Sequence, residues 1–178
     1  MIKWFHKIHN INYVTLRYFN ASGATVDGSL GEAHQPESHI IPIFLTRILQ
    51  GKNFAIFGDD YNTPDGTCVR DYIHVSDLAS AHILALKALL SKQDHKINTV
   101  YNVGTGKRYS NKEIAEKIIQ TTKTKNIYRV EPRRPGDPDE LVANHDKIKQ
   151  VLNWSPKYSD LDTIIDTAFK WHQKHNIA

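Results

Sequence analysis

One cysteine, Cys68, is present in 178 residues. That excludes an internal disulfide and a multi-cysteine metal site, and it sets a reduced, cytoplasmic compartment as the expectation. No apolar run reaches membrane-spanning length, and Met1 to His6 is too short and too polar for a signal peptide, so no membrane partner is expected. The net charge is +4, yet the lysines and arginines are scattered; without a Lys/Arg-rich run or a basic helical stripe, nucleic acid is not an expected partner either. There is no internal repeat, low-complexity tract or linker. With 40% hydrophobic and 24% charged residues the chain has globular composition, long enough for one ordinary domain or a large part of a bigger fold.

Two chemistries are suggested and then fail on a missing member. Asn102-Val103-Gly104-Thr105-Gly106-Lys107-Arg108-Tyr109 places a Gly-x-Gly after a strand and before a helix. The third glycine of a dinucleotide loop is replaced by Tyr109, and no acidic residue follows about 20 positions on. A tight strand-to-helix turn is the better reading. His6/His9 and His172/His175 are each three apart, as zinc ligands can be. Neither pair has a Cys or acidic third ligand nearby, so exposed, solvated histidines and no metal are expected. Cys68 reads as a small loop side chain.

What is present alternates between strand and helix patterns, which predicts an α/β fold. A short helix carries Ile2, Phe5 and Ile8. Strands are predicted over 12–19, 54–57, 70–75, 99–103 and 126–130. Residues 21–37 form a long polar loop. Helices are predicted over 38–50, ending at Gly51; after a Ser76 cap, with Leu78, His82, Ala85 and Leu89 on one face; after a capping box at Ser110–Glu113; and over 146–152 and 161–175. In the last, Leu161, Ile164, Ile165, Ala168 and Trp171 form the buried stripe.

The segment from Phe57 to Leu78, FGDDYNTPDGTCVRDYIHVSDL, is too polar to be core and too patterned to be a linker. Arg70-Asp71-Tyr72 lies in it, and Arg133-Arg134 and Asp137 lie in a second, Pro-rich stretch over 131–138. Arginines of this kind offer bidentate donors to phosphate. Both stretches follow strands, where α/β folds gather ligand sites.

Together with Leu16-Arg17-Tyr18-Phe19-Asn20, Gly31-Glu32, Ser38-His39-Ile40-Ile41-Pro42, Tyr101-Asn102-Val103-Gly104, Pro132 to Pro138 and Leu152-Asn153-Trp154, this segment resembles the UDP-galactose 4-epimerases of the extended short-chain dehydrogenase/reductase family. The likeness spans essentially the whole chain. It implies Tyr18 and Phe19 near the nicotinamide of NAD, the Asn20 amide on a substrate phosphate, and His39 and Ile40 at the nucleotide diphosphate. It further implies Ala55, Ile56 and Phe57 beside the uracil, Arg70 and Arg134 on the pyrophosphate, Tyr72 as a wall, Asp137 at the ribose and Leu141 at the sugar pocket.

The resemblance also implies a reaction through a 4-keto intermediate, needing a glycine-rich NAD loop and a Tyr-x-x-x-Lys pair. None of the eight tyrosines has lysine four residues on; Tyr109, for example, has Glu113. The chain opens about where the family's catalytic helix ends. Residues 1–178 are therefore expected to be a C-terminal, substrate-binding portion of a Rossmann-type fold, without the N-terminal dinucleotide-binding half and without a separate second domain. UDP-galactose and UDP-glucose are the implied ligands. NAD and homodimer formation belong to the complete enzyme, and this chain alone is expected to be inactive. Sister enzymes acting on UDP-pentoses, UDP-uronates or UDP-N-acetylhexosamines, and a non-catalytic UDP-sugar-binding module, are the alternatives.

Overall fold

In the computed structural model, which describes residues 1–91, 94–125 and 127–175, the apolar β-formers become short parallel strands and the amphipathic stretches become helices over them. The chain runs α1 (Ile2–His9), β1 (Val14–Tyr18), β2 (Asn20–Ser22), α2 (Ile40–Leu49), β3 (Phe54–Phe57), β4 (Val69–Arg70), β5 (Tyr72–His74) and α3 (Val75–Leu90). It continues through β6 (Thr99–Val103), β7 (Tyr109–Ser110), α4 (Asn111–Thr122), β8 (Tyr128–Glu131), β9 (Glu140–Leu141), α5 (Asp146–Leu152) and α6 (Leu161–His175). β1 pairs parallel with β6, β2 with β5 and β3 with β8, while β4 lies between antiparallel β7 and parallel β9.

Sequence periodicity misses β2, β7 and β9, which are two or three residues long and too short to show alternation. The strand expected over 126–130 starts at Asn126, outside the described residues. The strand expected over 70–75 is two strands, β4 and β5, interrupted at Asp71, and the interruption has a chemical cause. The Asp71 carboxyl group accepts from four donors, Thr105 N–H and Oγ1, Gly106 N–H and Ala143 N–H, at 2.7–3.1 Å. Its backbone N–H donates to Leu141 and its carbonyl accepts from the Asn20 backbone. One residue thus joins β9, the turn after β6 and the bend between β1 and β2, where the strand changes partner from β6 to β5.

The segment expected to lie outside the core contributes nearly half of its residues to the buried interior. Tyr61, Thr67, Cys68, Val69, Asp71, Tyr72, Ile73, His74 and Asp77 are all buried. Most of its buried polar groups are hydrogen-bonded, the Tyr61 hydroxyl being an exception. Asp77, in the first turn of α3, accepts from Lys157 N–H, Tyr158 N–H and Ser159 Oγ at 2.6–2.8 Å. Alternation along β5 sends Tyr72 into a core with α2, β3, α4 and α6, and Ile73 into a second with α3, β6, α5 and Trp154. Gly51, at φ +67°, ends α2 in the left-handed conformation the sequence predicts.

Three details differ from expectation. The cap of α3 is His74, whose Nδ1 accepts from the Ser76 N–H; Ser76 is already inside the helix. His82 is exposed, because the inner face of α3 is Asp77, Ala81, Ala85 and Ala88. His172, expected in solvent, is 3% exposed, with a ring nitrogen, Nδ1, that has no partner.

Burial lowers the pKa of His74, against the nearby charges of Asp77 and Asp160, and burial likewise lowers that of His172 against the charge of Glu37. Because Nδ1 of His74 accepts a backbone N–H, its single proton sits on Nε2, facing Thr167 Oγ1 at 3.1 Å. Protonating Nδ1 would break the cap. Below the ordinary imidazole pKa of about 6.5 the unfolded chain takes up protons that these two sites resist, so stability falls as pH falls. Urea unfolding should show stability level above about pH 7 and declining below it, with a slope of up to about 1.4 kcal/mol per pH unit for each histidine. His172→Leu should flatten that decline; an unchanged slope would remove His172 from the account.

Candidate functional site

Beyond the ends of β1 and β3, against the N-terminal turn of α2, lies a cleft of about 190 Å³ lined by residues of six elements. Strand ends are where an open α/β sheet leaves a crevice. Its floor is β3: the alternation of that strand buries Phe54 and Ile56 and leaves Ala55 and Phe57 half-buried. Arg134 stacks its guanidinium 4.0 Å from the centre of the Phe57 ring.

Arg70 is held from the other side. Its Nη1 donates to the carbonyls of Val69 and Pro138 at 2.9 Å, and its Nη2 lies 3.4 Å from Asp137 Oδ1. With its side chain 12% exposed, this guanidinium is oriented before any ligand arrives. The buried Tyr72 hydroxyl has its pKa pushed above the ordinary range by desolvation, so it stays protonated as a neutral wall. Asn20 lines the cleft with half of its amide engaged, Nδ2 donating to the Asp71 carbonyl at 2.7 Å. His39 is the N-cap of α2, offers it no side-chain cap, and no acidic residue sits in the first turn. That helix end is suited to an anion.

Of the residues singled out in the sequence, the cleft gathers Asn20, His39, Ile40, Ala55, Ile56, Phe57, Arg70, Tyr72, Arg134 and Asp137. Tyr18 and Phe19 line an adjoining cavity of about 630 Å³ that shares Asn20, Ala21, Ser22 and His39 with the first. Leu141 lines neither; it pairs with Arg70 from β9 and is half exposed. Arg133, weighed in the sequence with Arg134 as a phosphate binder, points its chemistry elsewhere: it pairs with Asp60 and stacks 4.0 Å from the centre of the Tyr61 ring. Ser38 and Asn111 line the cleft and were missed. Asn111 follows Ser110, and the capping box explains that stretch without marking a ligand contact.

The Gly-x-Gly turn after β6 is confirmed as a turn and not a phosphate cradle. Its Thr105 and Gly106 amides already hold the Asp71 carboxyl group. That turn is therefore not free to cradle a pyrophosphate. Among the described residues, no helix is long and apolar enough to cross a membrane.

The cleft thus brings two arginines, an aromatic face and an aspartate together at the ends of short strands in an α/β fold. The chain belongs to the NAD dependent epimerase/dehydratase family, whose profile matches residues 1–104. It is 48% identical over 176 residues to a UDP-glucose 4-epimerase of Lactobacillus helveticus and 47% identical to that of Halalkalibacterium halodurans, covering 98% of this chain and 52% of each relative. A solved UDP-glucose 4-epimerase superimposes with a TM-score of 0.92 at 46% identity, over 99% of this chain and 53% of that one. The Bifidobacterium longum enzyme, solved with NAD+ and UDP, superimposes with a TM-score of 0.79 at 35% identity, over 92% and 48%. The chain thus spans about half the length of the relatives it matches, and its fold is that part of a Rossmann-type short-chain dehydrogenase.

Proposed function

We propose that residues 1–178 are the substrate-binding portion of a UDP-glucose 4-epimerase and bind the uridine diphosphate end of UDP-galactose and UDP-glucose. The observation that carries this reading is the convergence of Arg70, Arg134, Asp137 and Phe57 on one cleft. The two guanidiniums match the two phosphates, the N-terminal turn of α2 adds donors, and Asp137 can accept from ribose hydroxyls. Ala55 and Phe57 offer an apolar shelf for the base. Tyr18 and Phe19 in the adjoining cavity stand where the sugar and nicotinamide would meet. Leu141 lines neither cavity, so no contact to the sugar is assigned to it.

In this reading NAD supplies the hydride chemistry in the complete enzyme. The residues of this chain bind and orient the nucleotide; they include no Tyr-x-x-x-Lys base. Exposed apolar side chains on α1 (Trp4, Phe5, Ile8) and α3 (Ile83, Leu86, Leu90) support association with further protein, as a second copy in the homodimer or as the remainder of the epimerase. A cytoplasmic setting accords with the lone, buried Cys68.

Calorimetry of the isolated chain should detect UDP binding, while incubation with UDP-galactose and NAD should give no UDP-glucose. No heat at millimolar UDP would overturn the binding assignment; sustained turnover would overturn the assignment of catalysis to other residues.

A further inference from the structure

We propose that Glu32, His34, Glu37 and His39, on the loop between β2 and α2, form a binding site for a divalent cation of the zinc class. One ligand atom from each of the four lies within 4.8 Å of all the others. His39 Nδ1 is 2.5 Å from Glu32 Oε1 and 3.1 Å from Glu37 Oε1, and His34 Nδ1 is 4.0 Å from that same Glu37 oxygen. A single imidazole proton cannot serve two carboxylates well, and two carboxylates drawn to one nitrogen repel each other. A cation at their centre resolves both conflicts. Donors at about 2.0–2.1 Å from a tetrahedral ion stand about 3.4 Å apart, so the 2.5 and 3.1 Å pairs must open, and the wider ones close, by up to roughly an ångström each as side chains on an open loop adjust.

The ligands are anchored at both ends of the loop. The Glu32 carbonyl accepts from Trp171 Nε1 at 3.0 Å, and Gly31 fits so closely on Trp171 that an added Cβ would collide with the ring. At the other end Glu37 Oε1 accepts from the Ser38 and His39 N–H groups at 2.7 and 2.8 Å, fixing it at the start of α2. A second observation comes from α6. His172, 3% exposed and with its Nδ1 unpartnered, lines the same small cavity as Glu32, a buried polar atom left beside the cluster.

Two imidazoles with two carboxylates select zinc or a neighbouring transition ion over magnesium or calcium, which prefer oxygen alone. Four protein donors make the site structural. It would pin the loop that carries His39, a residue lining both cavities. Histidines spaced three apart, the pattern weighed in the sequence, do not include this set; its pattern is Glu-x-His-x-x-Glu-x-His.

The test is titration of the chelator-treated full chain with zinc chloride, and separately with magnesium and calcium chloride, beside X-ray absorption of the zinc-loaded protein. One zinc per chain is expected, with a shell of two nitrogen and two oxygen donors. His34→Ala and Glu32→Gln should each weaken it at least about 100-fold. His34 is exposed and its nearest carboxylate contact is 4.0 Å, so His34→Ala should fold normally, which its melting curve will show. His6→Ala with His9→Ala should leave the tight equivalent intact. Zinc binding unchanged by His34→Ala, lost with His6 and His9, or matched by magnesium would each overturn the proposal.

Discussion

Asp71→Asn should lower the stability of the fold by about 3 kcal/mol, a fall of roughly 10 °C in melting temperature for a domain of this size. The carboxyl group accepts from Thr105 N–H and Oγ1, Gly106 N–H and Ala143 N–H in a site with no exposure. An amide of the same shape keeps one oxygen and turns an NH₂ toward donors. At least one of those buried N–H groups then loses its partner, and unpaired buried donors are costly. Asp71 also sits beside Arg70 in sequence, so a loosened β4 should broaden the cleft. Scanning calorimetry decides the matter: a variant melting within about 2 °C of the parent would show that the four contacts contribute little net stability.

Arg134→Ala should weaken UDP binding by about 10–100-fold, since a charge-assisted contact to phosphate is worth roughly 1.5–3 kcal/mol. Its melting temperature should hardly move, because the Arg134 guanidinium rests on the face of Phe57 and makes no ion pair among the described residues. That separation of affinity from stability is what distinguishes Arg134 from Arg70, whose guanidinium bonds two backbone carbonyls and whose loss would disturb β4 as well. Arg134→Lys should restore little, for lysine neither stacks on the ring nor offers a planar fork. Calorimetry with UDP measures it; equal affinities for parent and Arg134→Ala would place the phosphates elsewhere.

Long elements were legible in the sequence because periodicity is strongest over many residues. The Ser110–Glu113 capping box, the Gly51 terminator and the α6 stripe of Ile164, Ile165, Ala168 and Trp171 lie where residue type predicts. The residues of the cleft were legible through resemblance, and the physical reading of single residues added that arginines near strand ends belong together. What stayed hidden depends on partners far along the chain. Asp71 reads as one more residue of a strand over 70–75 until Thr105 and Ala143 are brought to it, more than thirty residues away. His172 shares its turn with exposed Gln173, Lys174 and His175, and residues far along the chain, Ser22, Gly23, Glu32, Ile41 and Pro42, line the small cavity it faces. Arg133 and Arg134 are adjacent and identical in kind; which one reaches the cleft is set by the positions of Tyr61 and Phe57.

Asn20, Ala21, Ser22 and His39 form a partition common to both cavities. A molecule seated on one side would touch the same residues as a molecule seated on the other, so any coupling between the two would have to be mutual. Whatever factor the first changes in the affinity of the second, the second must return to the first.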